Sequence, residues 1–78
     1  MLAVENAPSP DIVGVLTERQ RAVLSLAALG YGNKQIAYAL GVTQAAVAMS
    51  LRRARLAAGF NTRAQLVRSF KFSLTRSP

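Results

Sequence analysis

The sequence predicts a small all-α domain of four short helices, and two observations carry that prediction. Residues that can cap a helix recur along the chain, each followed by apolar residues at helical spacing: Thr17, Thr43 and Thr62. Glycines that can end the intervening helices by taking the left-handed conformation also recur: Gly30, Gly41 and Gly59. A chain of 78 residues is long enough for one such domain with a small core.

The charge of the chain is strongly one-sided. The formal net charge is +7, and the three acidic residues all lie within the first 18 positions. From Arg19 onward the chain has ten cationic side chains and no acidic one. A folded segment of one charge sign repels itself, and an anionic polymer such as nucleic acid offsets that repulsion. The alternative is a basic surface that only keeps the protein in solution.

The residue types exclude several classes of function. The chain has no cysteine and no histidine, and Glu18 is the one acidic residue of the part that we expect to fold. Acid–base catalysis and metal binding both need such groups. We therefore expect no enzyme, no catalytic residue, no metal and no cofactor. The N-terminus lacks the pattern of a secretory signal, and no apolar run approaches about 18 residues, so we expect a cytoplasmic protein without membrane contact.

The first residues differ in composition from the rest. Pro8, Pro10 and Gly14 interrupt residues 1–15, which show no clean period. This stretch predicts a flexible, extended N-terminal arm. The domain then covers residues 16–74, and residues 75–78 form a C-terminal tail.

The first predicted helix begins with a capping box. Thr17 can accept from the amide of Gln20, whose side chain can return to the amide of Thr17. The helix ends at Gly30. Its expected buried face consists of Ala22, Val23, Leu26 and Leu29.

The second predicted helix covers Asn33–Leu40, with Asn33 as its cap and Gly41 as its stop. Lys34 lies in the first turn, where the helix dipole already favours an anion, so it can bind a phosphate. The alternative is a lysine that is only solvated. The expected inner face consists of Ile36, Ala37 and Leu40.

The third predicted helix follows after a tight turn, starts at Thr43 and runs to Gly59. Two helices joined in this way let the second lie in a DNA major groove. At 100° per residue, one side of the helix is suited to close packing and carries Val47, Leu51, Ala54 and Ala58. The other side, with Ala48 on its flank, carries Ala45, Met49, Arg52, Arg53 and Leu56. Arginine can bind guanine edges or phosphates, and Ala and Met can contact thymine methyl groups.

The fourth predicted helix also begins with a capping box, from Thr62 to Gln65. Leu66 and Val67 can close the core. The apolar residues beyond them extend past what three short helices can cover, and we expect a homodimer interface made by Val67, Phe70, Phe72 and Leu74. The alternative is that Phe70 folds back on the first helix.

These residues resemble a known family, the LuxR/GerE-type helix-turn-helix domain. The similarity runs from about position 16 to position 67 and rests on Leu16-Thr-Glu-Arg19, Val23-Leu24, Gly30, Asn33-Lys34-Gln-Ile36-Ala37, Leu40-Gly41-Val42, Val47, Leu51, Gly59 and Arg63-Ala-Gln-Leu66-Val67. The resemblance implies a four-helix DNA-binding domain of bacterial transcription regulators, in which the third helix reads the major groove and the fourth often dimerises. It also implies that Lys34 and Thr43 contact the DNA backbone, and that the bases are faced by Ala45, Ala48, Met49 and Arg52. With no sensor domain in the sequence, the chain resembles the short members of the family.

The third helix departs from the family pattern. Where family members often have Lys-Thr-Val-Lys followed by His, this chain has Ala45-Ala46-Val47-Ala48 and Ser50. Either the base contacts are mainly apolar and the arginines hold phosphates, or specific DNA reading has weakened. The sequence therefore leaves two hypotheses: a homodimeric regulator bound to double-stranded DNA, or an interaction module that binds another regulator or RNA polymerase.

Overall fold

The computed structural model of the protein describes residues 12–75, so most of the expected arm and tail lies outside it. Four α-helices follow one short 3₁₀ helix at Ile12–Val15: α1 (Glu18–Ala28), α2 (Asn33–Leu40), α3 (Gln44–Ala58) and α4 (Arg63–Thr75). No strand occurs between residues 12 and 75. The predicted all-α, four-helix fold is confirmed.

Three of the four predicted helix starts are capped as expected. The hydroxyl of Thr17 accepts from the amide of Gln20 at 3.1 Å, and the Gln20 side chain accepts from the amide of Thr17 at 2.9 Å. Thr62 and Gln65 form the same reciprocal pair at the start of α4. Thr43 caps α3 by accepting from the amide of Ala46 at 3.0 Å. Each cap satisfies amide groups that a helix leaves without partners in its first turn.

The expected cap of α2 is wrong. Asn33 is the first helical residue, and Gly32 is the cap, with an extended backbone (φ −84°, ψ 170°). Glycine has no side chain to accept from the first turn, so only half of a capping box forms, in which Gln35 accepts from the amide of Gly32 at 2.9 Å. The Asn33 side chain is thereby left for a contact outside its own helix.

The helix ends follow one pattern. Gly41 and Gly59 have left-handed backbones, with φ of 69° and 81°. The residue after each donates its amide to the carbonyl five positions back, Val42 to Ala37 and Phe60 to Arg55, both at 3.0 Å. This is the Schellman arrangement, which satisfies the last carbonyls of a helix and turns the chain sharply. It fixes both the α2–α3 and the α3–α4 corners.

The core lies around α3, which packs against α1, α2 and α4. Most of the predicted inner residues of α2, α3 and α4 are buried in one cluster: Ile36, Ala37, Val47, Leu51, Ala54 and Leu66. Partly buried residues close its edges, Leu40, Val42 and Ala58 among them. The apolar face of α3 is thus covered by α1, α2 and α4.

The predicted buried face of α1 is correct only in part. Val23 is fully buried and Leu26 packs partly against the core, but Leu29 is 71% exposed. Leu24, which the expected stripe omits, is fully buried. The buried face of α1 therefore includes Leu24 beside Val23, because α2, α3 and α4 all pack against this helix.

Two further residues belong to the core that were assigned to other parts of the molecule. Ile12, expected in the extended arm, lies in the 3₁₀ helix and is buried, because this helix packs against α3 and α4. Phe70, expected in a dimer interface, is 2% exposed. It is one of the largest side chains that the core encloses, so its assignment to an interface is wrong, and the burial agrees with the alternative that Phe70 folds back into the domain.

Candidate nucleic-acid interface

The outer face of α3 is exposed along its whole length. The predicted DNA-binding residues of α3 all lie there in contact with solvent: Ala45, Ala48, Met49, Arg52 and Arg53. On the opposite side of the same helix, Val47, Leu51 and Ala54 are buried. Because those three cannot rotate out of the core without exposing apolar surface, the orientation of the outer face is fixed relative to the domain.

The turn that leads into α3 is also held in place by its own contacts. Val42 packs against the core in the turn, and the hydroxyl of Thr43 is engaged as the cap of α3. A hydroxyl that accepts one hydrogen bond still has its own proton to donate, so Thr43 can cap the helix and bind a phosphate oxygen together. Lys34, the other predicted backbone contact, is exposed in the first turn of α2.

The electrostatics of this side are set by arginine. Arg52 and Arg53 are exposed, and no ion pair forms anywhere among residues 12–75. Glu18 is the single acidic residue in that range, and it lies in the first turn of α1. The charges on α3 are therefore not neutralised within the domain, and an approaching anion meets their full attraction.

Arg55 has a role that sequence reasoning missed. Its Nη1 atom donates to the carbonyl oxygens of Phe60 at 3.1 Å and Asn61 at 3.2 Å. The side chain thus ties the last turn of α3 to the loop that leads into α4. The sequence signal was available, because arginine in the last turn of a helix commonly binds the carbonyls that follow.

Arg63 makes a side-chain hydrogen bond between two helices that are far apart in sequence. Its Nη1 atom donates to Oδ1 of Asn33 at 2.9 Å across 30 positions. This bond joins the start of α4 to the start of α2. Beside it lies an open groove of about 220 Å³, lined by Asn33, Ala48, Leu51, Arg52, Arg55 and Arg63. No local pattern in the sequence predicts this meeting.

The other predicted dimer residues lie on α4 with unequal exposure. Phe72 and Leu74 are 61% and 54% exposed, whereas Val67 is half-buried against the core. With Phe70 enclosed, the apolar surface that α4 offers to a second molecule is smaller than the sequence suggested. It consists of Phe72 and Leu74 near the end of the helix.

A short helix, a left-handed glycine turn and a second helix with one buried and one exposed cationic face define a helix-turn-helix domain. Comparison with family models then gives a match over residues 14–70 to the bacterial regulatory proteins of the luxR family. The chain belongs to this family, as its sequence resemblance indicated, and so to a class of DNA-binding transcription regulators that is not a class of enzymes. No curated protein and no solved structure shows a significant match to the chain. Within residues 12–75, no helix is long and apolar enough to cross a bilayer.

Proposed function

We propose that this protein is a sequence-specific transcription regulator that binds double-stranded DNA as a homodimer, with α3 in the major groove. The observation that carries the proposal is the division of α3. One face is locked into the core by Val47, Leu51 and Ala54, and the other is exposed, cationic and without a nearby acidic residue in its own helix. A helix of 15 residues presented in this way has the dimensions of a major-groove reader.

The chemistry of the exposed face divides into two kinds of contact. Ala45, Ala48 and Met49 are suited to thymine methyl groups, and Arg52 can donate two hydrogen bonds to a guanine edge. Arg53, Lys34 and Thr43 would hold phosphates on either side of the groove. In this arrangement the apolar groups and one arginine carry the sequence preference, and the remaining cations carry most of the affinity.

The dimer would form through the exposed end of α4. Burying Phe72 and Leu74 against their symmetry mates removes apolar surface from water, which contributes about 25 cal/mol for each Å². Two copies of α3 then need to stand about 34 Å apart, one turn of DNA, to enter successive major grooves on one face.

Selection from a pool of random duplexes, followed by mobility-shift measurements on the enriched sequences, tests the proposal. We expect a motif of two half-sites spaced by about one helical turn, bound at least about 1,000-fold more tightly than unrelated DNA. Uniform weak binding to all sequences would overturn specific reading, and no binding at all would overturn the function.

One observation favours a second candidate function. The outer face of α3 also exposes Leu56, and the positions where cations are common in the family hold alanine instead. Such a surface suits contact with a protein, and the chain would then be an interaction module for RNA polymerase or another regulator. Cross-linking from position 56 in the bacterial cytosol distinguishes the two, since this alternative predicts protein adducts that DNase treatment leaves intact.

A further inference from the structure

We propose that the groove lined by Arg52, Arg55, Arg63 and Asn33 is a binding site for a single phosphate group. It lies between the side of α3 and the starts of α2 and α4, so three helices contribute to it. Three arginine residues line it, and no acidic residue does. Planar guanidinium groups match the oxygen geometry of phosphate and bind it through paired hydrogen bonds.

Two of the three arginines are already held in place. Arg55 is fixed by its bonds to the carbonyl oxygens of Phe60 and Asn61, and Arg63 by its bond to Asn33. Each of these bonds uses the Nη1 atom, and a guanidinium group has five N–H donors, so further donors remain on both side chains. Since the side chains are ordered before any ligand arrives, less conformational entropy is lost on binding.

Arg52 completes the site differently. It forms no hydrogen bond with any residue of the range 12–75, so its whole donor set is available to a ligand. Three cations of this kind gathered around one groove repel one another, and a phosphate between them reverses the sign of that interaction. The groove of about 220 Å³ holds several waters at about 30 Å³ each, which is room for a phosphate group that keeps part of its hydration.

The phosphate can belong to DNA or be a free ion. Ala48 and Arg52 belong both to the groove and to the outer face of α3, so a DNA phosphate here would flank the bases that this helix contacts. In that form the inference rests on the proposed function, and it assigns Arg52 to the DNA backbone instead of a guanine edge, so the base preference falls to Ala45, Ala48 and Met49. The site would then anchor one backbone position and fix how deeply α3 enters the groove.

Titration of the isotope-labelled protein with inorganic phosphate, against sodium chloride at equal ionic strength, tests the site without DNA. We expect phosphate to shift the NMR signals of the Arg52, Arg55 and Arg63 side-chain N–H groups in one saturable process. Arg63→Gln should weaken it about tenfold, the loss of a charge-assisted hydrogen bond. Arg63→Lys keeps the positive charge but lacks the planar pair of N–H donors, so its phosphate affinity should lie between those of the wild type and Arg63→Gln. Arg19→Gln, which removes an exposed arginine of α1 outside the groove, should leave it unchanged.

The DNA form is tested by replacing single phosphates of a bound duplex with neutral methylphosphonates. One position per half-site should weaken wild-type binding by about tenfold and have little further effect on Arg63→Gln. Arg52→Gln breaks no hydrogen bond of the described chain, so it repeats the test without risk to folding, and circular dichroism checks every variant. Phosphate binding without any such DNA position assigns the site to a free ion. If the protein binds phosphate but no DNA, the proposed function is wrong and the phosphate site stands. A phosphate response equal to that of chloride, with no methylphosphonate position that depends on Arg63, would overturn this inference.

Discussion

The three arginines that line the groove show how one residue type serves different purposes. Arg55 holds the loop after α3, Arg63 holds the start of α2, and Arg52 contacts no described residue through a hydrogen bond. Their charges are equal, so the net charge of the chain says nothing about this division. From these hydrogen bonds we expect that truncating Arg55 or Arg63 lowers both stability and ligand binding, whereas truncating Arg52 weakens binding alone.

Arg52→Ala should therefore weaken DNA binding by about 1–3 kcal/mol without lowering the free energy of unfolding. If Arg52 reads a base, the loss should be confined to sequences that carry its preferred base pair, and if it holds a phosphate, all sequences should lose equally. Mobility shifts on the selected site and on variants of each base pair measure the difference. Arg19→Ala, which removes an exposed arginine of α1, is the matched control. Equal affinity of wild type and Arg52→Ala for every duplex would show that this side chain does not touch DNA.

At the scale of the helices, local chemistry was enough to predict the three threonine caps and the glycine stops of α2 and α3. The threonine caps and glycine stops involve residues no more than five positions apart, so the sequence shows both partners together. The same holds for the outer and inner faces of α3, which is long enough to show its period. Lys34 and Thr43 are exposed, but whether they contact DNA remains a prediction.

What sequence could not predict depends on distant partners. Leu29 fits the apolar period of α1 as well as Leu26 does, but no neighbouring helix covers it. Asn33 is as good a cap as the threonines, but Gly32 takes the cap geometry and Arg63, 30 positions away, binds the Asn33 side chain. The groove beside α3 was missed for the same reason, because residues of three separate helices line it.

The glycine between α2 and α3 gives a prediction of its own. Gly41 has φ of 69°, and a Cβ added there would meet no atom within 4 Å. Gly41→Ala should then lower the free energy of unfolding by about 1–2 kcal/mol through backbone strain alone, and Gly41→Asn by less. Urea unfolding followed by circular dichroism measures both. Gly32→Ala is the comparison, since φ there is −84° and the added methyl makes only an ordinary contact; without backbone strain, only the weaker preference of a helix cap for alanine should remain, and the loss should be smaller than for Gly41→Ala. Equal effects of the two alanine substitutions would contradict the strain argument.

The whole molecule has a formal net charge of +7, so we expect its affinity for DNA to depend strongly on salt concentration. If a dimer neutralises about six to ten phosphates, affinity should fall by about 10³–10⁵ between 50 and 200 mM salt. Fluorescence anisotropy of a labelled duplex over that range measures the slope. Arg52→Ala should make the slope shallower by about one unit only if it binds phosphate. A flat response would favour the protein-interaction alternative.

Association is the remaining property of the whole molecule, and the burial of Phe70 changes how it must be tested. Phe70→Ala should cost about 3–5 kcal/mol because it empties part of the core, so it reports on folding rather than on dimers. Phe72→Ser combined with Leu74→Ser changes two exposed side chains outside the core cluster, so we expect a protein that still folds, with a much smaller loss of stability than Phe70→Ala causes.

The opposing force in the dimer is charge, since Arg68 and Lys71 lie on the same helix as the apolar pair and two copies would repel across the axis. Salt screens that repulsion, and bound DNA offsets it, so we expect a dimer that is weak alone and firmer on DNA. Sedimentation should show concentration-dependent association of the wild type and none of the Phe72→Ser, Leu74→Ser variant. The variant should bind a single half-site as the wild type does but lose cooperativity on paired half-sites. If both proteins are monomeric and equally cooperative on DNA, the end of α4 is not the dimer contact, and the two α3 helices are brought together by another surface.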